Sequence, residues 1–376
     1  MYVQLIPFPK VKEVKGETKK FMAEVKQRIP LALKYRPATW QQVVEQDAVK
    51  QILSTELSTG NLKRCMLFCG PAGCAKTTSA RIFASEVEKN KSNIVEINCA
   101  DNTGVEDVRK LVIEPSQIKP LVGQYKVFVL DECHMLTTQS QNALLKILEE
   151  PPLHCVYILC TTDPQKVLPT IMSRAVRYDF QLISHQGIVD RLNYILNCEK
   201  QDAEGIDVET WDMAALDMLS TFSQGHMRNA VVNLEKVLSF TKNITVSDVE
   251  RVLGVTSYDI LFNILNCIIS KDQVGLIQVV DTLAKSGMDL RLFVKNFLSF
   301  VLEVNKFVIL RDVNPQRTME LINLPQSFAT RLSVYNNTHR ASLKMILDKM
   351  VELNSSLKWE TDVRPVLETN LLLMAV

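Results

Sequence analysis

Glycine is scarce in this chain, with 12 among 376 residues, about half the usual share. Scarcity of the residue that best tolerates tight turns favours helices over many short strands. Long apolar runs are missing too. The longest are pieces such as Leu371 to Val376 and Val127 to Leu130, far short of the roughly 18 residues that span a bilayer. No membrane partner is expected. The N-terminus, Met1-Tyr-Val-Gln-Leu-Ile-Pro-Phe-Pro-Lys10, lacks the charged start and long apolar core of a secretory signal. Nine cysteines are present without one Cys-x-x-Cys pair, which argues against a zinc ribbon and a dithiol redox motif. No four-ligand Cys/His set has metal spacing, so no zinc is expected. Scattered on apolar segments, the cysteines read as buried reduced thiols of a cytoplasmic protein. Charge of one sign is lacking as well: 43 Lys and Arg against 42 Asp and Glu leave a net charge of +1. That excludes a globally basic, histone-like coat but not a local basic patch.

What is there is an ordinary folded composition, 47% apolar and 23% charged, which excludes disorder throughout. The length corresponds to about two and a half domains. Between Lys10 and Arg28 seven basic residues accompany Glu13, Glu17 and Glu24, the pattern of a solvated charged helix or arm. From Leu31 the texture changes. Strand-length apolar runs follow at Cys65–Cys69, Asn93–Asn98, Lys126–Leu130 and Val156–Cys160, apolar nearly throughout as in strands covered on both faces. Between them lie helical spacings such as Ala143, Leu144, Ile147 and Leu148, ended by Pro151-Pro152. Alternating strand and helix predicts a parallel α/β sheet. Strands are expected to stop after Phe180, and from Thr245 only helical periodicity remains.

The segment Gly70-Pro71-Ala72-Gly73-Cys74-Ala75-Lys76-Thr77 follows one such strand and opens a helix at Thr78. That is the setting a phosphate loop needs, where backbone N–H groups and a helix N-terminus cradle phosphate oxygens. Lys76 suits the β and γ phosphates, and the Thr77 hydroxyl suits Mg²⁺. Asp131-Glu132-Cys133-His134 comes directly after another strand. There Asp131 is expected to hold Mg²⁺ and Glu132 to polarise an attacking water. His134 reads as a structural, hydrogen-bonded residue. Together the motifs predict a Mg²⁺-dependent nucleoside triphosphatase.

Four further stretches carry a resemblance: Leu33-Lys-Tyr-Arg-Pro-Ala-Thr-Trp-Gln-Gln-Val-Val44, Asp131 to Pro152, Cys160 to Lys166 with Ser173-Arg174, and Gly225-His-Met-Arg-Asn-Ala230. In their order and spacing the chain resembles the AAA+ clamp-loader ATPases, most of all the gamma/tau subunits of bacterial DNA polymerase III. The resemblance implies an α/β P-loop AAA+ domain over 31–180, a small helical lid over 181–243 and an all-α collar over 244–376, behind an N-terminal extension over 1–30. It implies ATP and Mg²⁺ as cofactors, bound by Gly70 to Thr78. Thr162 falls at the position that senses the γ-phosphate. Arg174 falls at that of a finger serving a neighbouring subunit's ATP, and Arg228 at that of a lid arginine for the chain's own nucleotide. The implied partners are other clamp-loader subunits in a pentamer, a sliding clamp, and primer–template DNA held through its phosphates.

The chain departs from the family in four places. Ala75 stands where the loop usually has glycine, putting a methyl group close to the phosphates. Ala175 replaces the cysteine after Arg174. The four-cysteine zinc module is missing, with no room between Ser85 and Asn93. Asn102 and Gly104 occupy positions where relatives carry basic residues for DNA, leaving Thr103 and helix N-termini as donors. The missing module and short C-terminus point to a divergent or phage-type system. Other readings of the same motifs are a helicase loader, a branch-migration motor, or a structural clamp-loader subunit that binds nucleotide without turnover.

Overall fold

The computed structural model describes residues 28–376 apart from 203–204, 255–257, 286–288, 314, 316–317, 323, 325–327, 358 and 376, and the side chains of 319–320. All but the last three residues of the expected 1–30 extension lie outside the described residues.

Five strands form one parallel sheet: β1 (Cys65–Cys69), β2 (Ile94–Asn98), β3 (Lys126–Asp131), β4 (Cys155–Thr161) and β5 (Val176–Asp179), in the order β2-β3-β4-β1-β5. The central strands are apolar on both faces because both faces are covered. Met66, Phe68, Val129 and Ile158 pack with Phe83 and Leu53 on one side; Leu67, Phe128 and Tyr157 pack with Leu144 and Leu148 on the other. Each large side chain so buried contributes about 1.5–3 kcal/mol. The covering helices include α1 (Asp47–Thr59), α2 (Lys76–Val87) and α3 (Thr138–Glu149). The hydroxyl of Thr137 starts α3 by accepting the Ser140 N–H at 3.1 Å.

Beyond β5 the chain turns helical: α4 (His185–Gln201), α5 (Met213–Ser223), α6 (Met227–Leu238), α7 (Val246–Leu253), α8 (Tyr258–Ile269), α9 (Gln273–Lys285), α10 (Leu290–Leu310), α11 (Arg340–Ser356) and α12 (Val363–Met374). Their apolar faces form one continuous core reaching from Ile183 to Ala375. Phe222 stacks on Tyr258 with ring centroids 6.3 Å apart, and Tyr258 meets Phe300 at 6.2 Å, so α5 and α8 share that core directly. Strands do not quite stop at Phe180. β6 (Thr210–Trp211) and β7 (Asn243–Ile244) pair in parallel, two-residue pieces too short to carry a period in sequence.

All nine cysteines are free and seven are buried. Burial pushes the Cys65 and Cys99 thiols up to about 12, far from the range of a reactive thiolate. Among the described residues no single helix is long and apolar enough to cross a membrane.

Candidate active site

The order of the sheet sets the site. β4 lies between β1 and β3, so the segments leaving the C-terminal ends of all three emerge side by side. From β1 comes Gly70 to Ala75, leading into α2. From β3 come Asp131 and Glu132, and from β4 comes Thr162. The loop is tied at its base, where the Gly70 N–H donates to the Thr161 carbonyl at 3.3 Å. Gly70 has φ +150°, and a Cβ there would sit 2.4 Å from the Phe180 carbonyl oxygen. Only glycine fits that approach.

Lys76 is buried, and its Nζ donates to the carbonyls of Gly70 and Pro71 at 2.9 and 2.7 Å. The Cys74 thiol also closes the loop, donating to Pro71 at 2.9 Å; burial pushes its pKa up, against the opposing charge of Lys76. The Thr77 hydroxyl donates to the Asp131 carboxylate, 2.9 and 2.8 Å from its two oxygens. The Thr162 hydroxyl donates to Glu132 Oε2 at 2.9 Å. His134 Nδ1 lies 3.1 Å from the Thr161 hydroxyl and 3.4 Å from Glu132 Oε2, so its ring is hydrogen-bonded within the site. Ala75 and Glu132 are both left-handed, at φ +76° and +49°. Backbone of this kind costs an L-residue about 1–2 kcal/mol and gathers at functional sites. It also relocates the difficulty with Ala75: the methyl strains its own backbone.

The lid reaches this rim through α6. A Cβ on Gly73 would lie 3.4 Å from the Arg228 N, so the start of α6 rests on the loop. His226 Nδ1 approaches the Ala72 carbonyl to 2.6 Å; a carbonyl only accepts, so the ring nitrogen carries the proton. The structure thus brings Gly70 to Thr78, Asp131, Glu132, Thr162 and Arg228 together. Arg174 is elsewhere, donating to the Thr170 carbonyl at 2.8 Å and pairing with Glu149 at 3.1 Å. Asn102 is occupied locally, donating to the Asn98 carbonyl at 3.1 Å, and Gly104 precedes the helical segment that begins at Val105.

Two residues at the rim escaped the sequence reading of the site. His226 lies inside the quoted Gly225–Ala230 stretch, yet nothing there marks it for the phosphate loop. Arg36 lies inside a quoted motif, yet nothing in the motif says where its side chain goes. Its Nε lies 3.3 Å from the Thr78 hydroxyl, to which it donates. Burial lowers its pKa, and the charges of Arg81 and Arg228 add to that against Glu96 and Asp131. Among the described residues Arg36 and Arg228 form no ion pair, so two cations stand beside the loop without a carboxylate in contact.

These residues fit a nucleotide and Mg²⁺. The free cations and loop N–H groups match phosphate oxygens. The Thr77 hydroxyl and the Asp131 carboxylate, bonded to each other here, are the hard oxygen ligands magnesium prefers, and it keeps several waters besides. Among the described residues no group of three or more His, Cys, Asp or Glu is placed to hold a metal ion by itself.

Fold and site define a P-loop α/β protein of the AAA+ class. The family described as DNA polymerase III, delta subunit, matches residues 87–184, and DNA polymerase III subunits gamma and tau domain III matches residues 244–356. DNA polymerase III subunit tau of Bacillus subtilis (strain 168) is 32% identical over 277 residues, 68% of this chain and 48% of that protein. DNA polymerase III subunit gamma of Buchnera aphidicola subsp. Schizaphis graminum is 30% identical over 281 residues, covering 69% of this chain and 75% of its own length. Among solved structures, the Thermotoga maritima RuvB Holliday junction branch migration motor aligns with a TM-score of 0.48 and 20% identity over 68% of this chain and 86% of that one. The chain belongs to the DNA polymerase III gamma/tau family. It spans about half the length of several curated relatives it matches.

Proposed function

We propose that this chain is an ATP-driven clamp-loader subunit that opens a sliding clamp and places it on primer–template DNA. The observation that carries the reading is the convergence of Lys76, Thr77, Asp131, Glu132 and Thr162 on one rim of the sheet, closed over by the lid at Arg228. In this reading the loop from Gly70 to Thr78 cradles the phosphates. Lys76, now bonded to two loop carbonyls, would instead meet phosphate oxygens, and Thr77 and Asp131 would hold the magnesium ion. Bound there, it would supply neutralisation of the charge developing on the phosphates. Glu132 orients and polarises the attacking water, and Thr162, already bonded to Glu132, reports the γ-phosphate. Arg228 contacts the nucleotide from the lid of its own subunit, and Arg174 is offered to the ATP of a neighbour.

The division into an ATPase domain (31–180), lid (181–243) and collar (244–376) accords with the sheet's end at Asp179 and with a family match that begins at 244. A pentamer with other clamp-loader subunits accords with the family. Contact with a clamp is supported by Ile118, Leu121, Val122 and Leu153, exposed apolar residues just ahead of β3 and β4 at the rim opposite the phosphate loop; clustered exposed apolar surface of this kind marks partner sites. DNA is held through phosphates, by Thr103 and helix N-termini, since Asn102 and Gly104 carry no charge.

The test is ATP turnover by the protein alone, with primed DNA, and with primed DNA plus clamp. Stimulation of about tenfold or more by both together is expected, and Lys76→Ala abolishes productive ATP binding. Turnover indifferent to every clamp offered, but driven by branched DNA, moves the assignment to a branch-migration motor.

A further inference from the structure

The segment before the sheet is divided between two bodies. Leu31, 1% exposed, belongs to the core of the helical half. Trp40 and Val43 belong to the sheet's core, and the Trp40 indole N–H donates to Glu86 on α2 at 2.8 Å. Arg36 sits where the segment crosses from one body to the other, against Thr78 at the start of α2. Pro37 follows it and disfavours the helical region at Arg36, so its place depends on how the segment is held on the helical side.

That hold centres on one carboxylate. Glu199, near the end of α4, is 1% exposed. Its Oε1 accepts from Lys34 Nζ at 2.6 Å and from the Tyr35 hydroxyl at 2.5 Å, and its Oε2 accepts the Ile206 N–H at 2.6 Å. Burial alone would raise the Glu199 pKa; these three donors hold it below the usual carboxylate range. Arg191, also on α4, adds a bond to the Tyr35 carbonyl at 2.8 Å. An ionised buried carboxylate with every partner satisfied is costly to displace, because removing one partner leaves a charge stranded in low dielectric. Lys34, Tyr35 and Arg36 are consecutive, so anchoring the first two fixes the origin of the third.

We propose that Glu199 is a positioning residue for nucleotide: by gripping Lys34 and Tyr35 it sets Arg36 at the mouth of the phosphate loop, where the guanidinium meets a phosphate oxygen. The inference rests on the nucleotide-binding role of the loop. It assigns to the far end of α4 control over a cation at the head of α2, and links lid position to phosphate affinity by a route separate from Arg228.

The experiment titrates the full chain with a fluorescent ATP analogue and Mg²⁺, with a melting curve for each variant. Arg36→Ala is expected to weaken binding about tenfold to a hundredfold, the worth of one charge-assisted bond to phosphate. Glu199→Gln weakens it in the same direction. In the Arg36→Ala background Glu199→Gln has no further effect on affinity, although any loss of melting temperature persists; a purely structural role would move the two together. Should Glu199→Gln fail to fold, Tyr35→Phe and Lys34→Met carry the same expectation. Unchanged affinity in Glu199→Gln, or an equal loss in both backgrounds, overturns the positioning role while leaving the phosphate loop intact. Wild-type protein that does not bind the analogue overturns the nucleotide reading itself.

Discussion

At position 75 a methyl group occupies a backbone conformation that suits glycine (φ +76°). Ala75→Gly relieves about 1–2 kcal/mol of strain and returns about 0.4–1 kcal/mol of unfolded-state entropy. Stability should therefore rise by up to about 1.6 kcal/mol, read as a higher melting midpoint. ATP affinity should change less than tenfold, under about 1.4 kcal/mol, because the loop already holds its closed bonds at Lys76 and Cys74. A lower midpoint, or a much larger gain in affinity, refutes this account of the loop. Residue types and spacing made Lys76, Thr77, Asp131 and Glu132 legible in the sequence, because loop and carboxylates each follow an apolar strand. Spacing does not encode a side chain's path through space. Nothing in the run Lys34-Tyr-Arg36 reveals that neighbouring residues point to a lid helix and a phosphate loop, and nothing marks His226 for the Ala72 carbonyl.

Between elements, Glu88 is a tie of similar character. It caps the end of α2, is 4% exposed, and accepts the N–H groups of Asn90, Gln124 and Tyr125 at 2.8, 3.0 and 3.0 Å. It thus fastens α2 to the loop that enters β3. Burial raises its pKa, but these bonds outweigh that and leave it below the usual value. A depressed folded pKa means that the stabilisation is present above the unfolded carboxylate's pKa and is lost as pH falls through the folded one. Glu88→Gln should cost about 1.5–3 kcal/mol near neutral pH, and the gap to wild type should close in melts carried down through the acid range. A gap that persists unchanged in acid denies the charge its role. Element patterns explain what could be read: β1, β3 and β4 are buried nearly throughout, and α3 repeats its apolar residues before a proline pair; β2, expected to be covered on both faces, lies at the sheet edge with only Ile97 buried. β5 has only Tyr178 buried among four residues. It is an edge strand like β2, with three of its four residues exposed, and alternation over so few residues has no readable period.

For the whole molecule, the informative residue is the one the fold keeps away from its own phosphates. Arg174 is held by Glu149 and the Thr170 carbonyl, and its Nε is buried without a partner. A partly exposed ion pair of this sort is worth under about 1 kcal/mol, little obstacle to a phosphate arriving on another subunit. A finger is worth about 10³–10⁵ in rate. Arg174→Ala should therefore bind ATP normally yet lose DNA- and clamp-stimulated hydrolysis. Mixed with it, a Lys76→Ala subunit should restore turnover by lending its own Arg174. Normal hydrolysis by the Arg174→Ala assembly, or mixtures that never recover, would refute the exchange. The core that runs unbroken from Ile183 to Ala375 has a mechanical consequence. Helices that share one core move together more readily than apart, so in the proposed reading a shift of α6 against the phosphate loop is passed to the helices packed with it. A partner bound anywhere on that half would then sense the proposed nucleotide site through the packing alone.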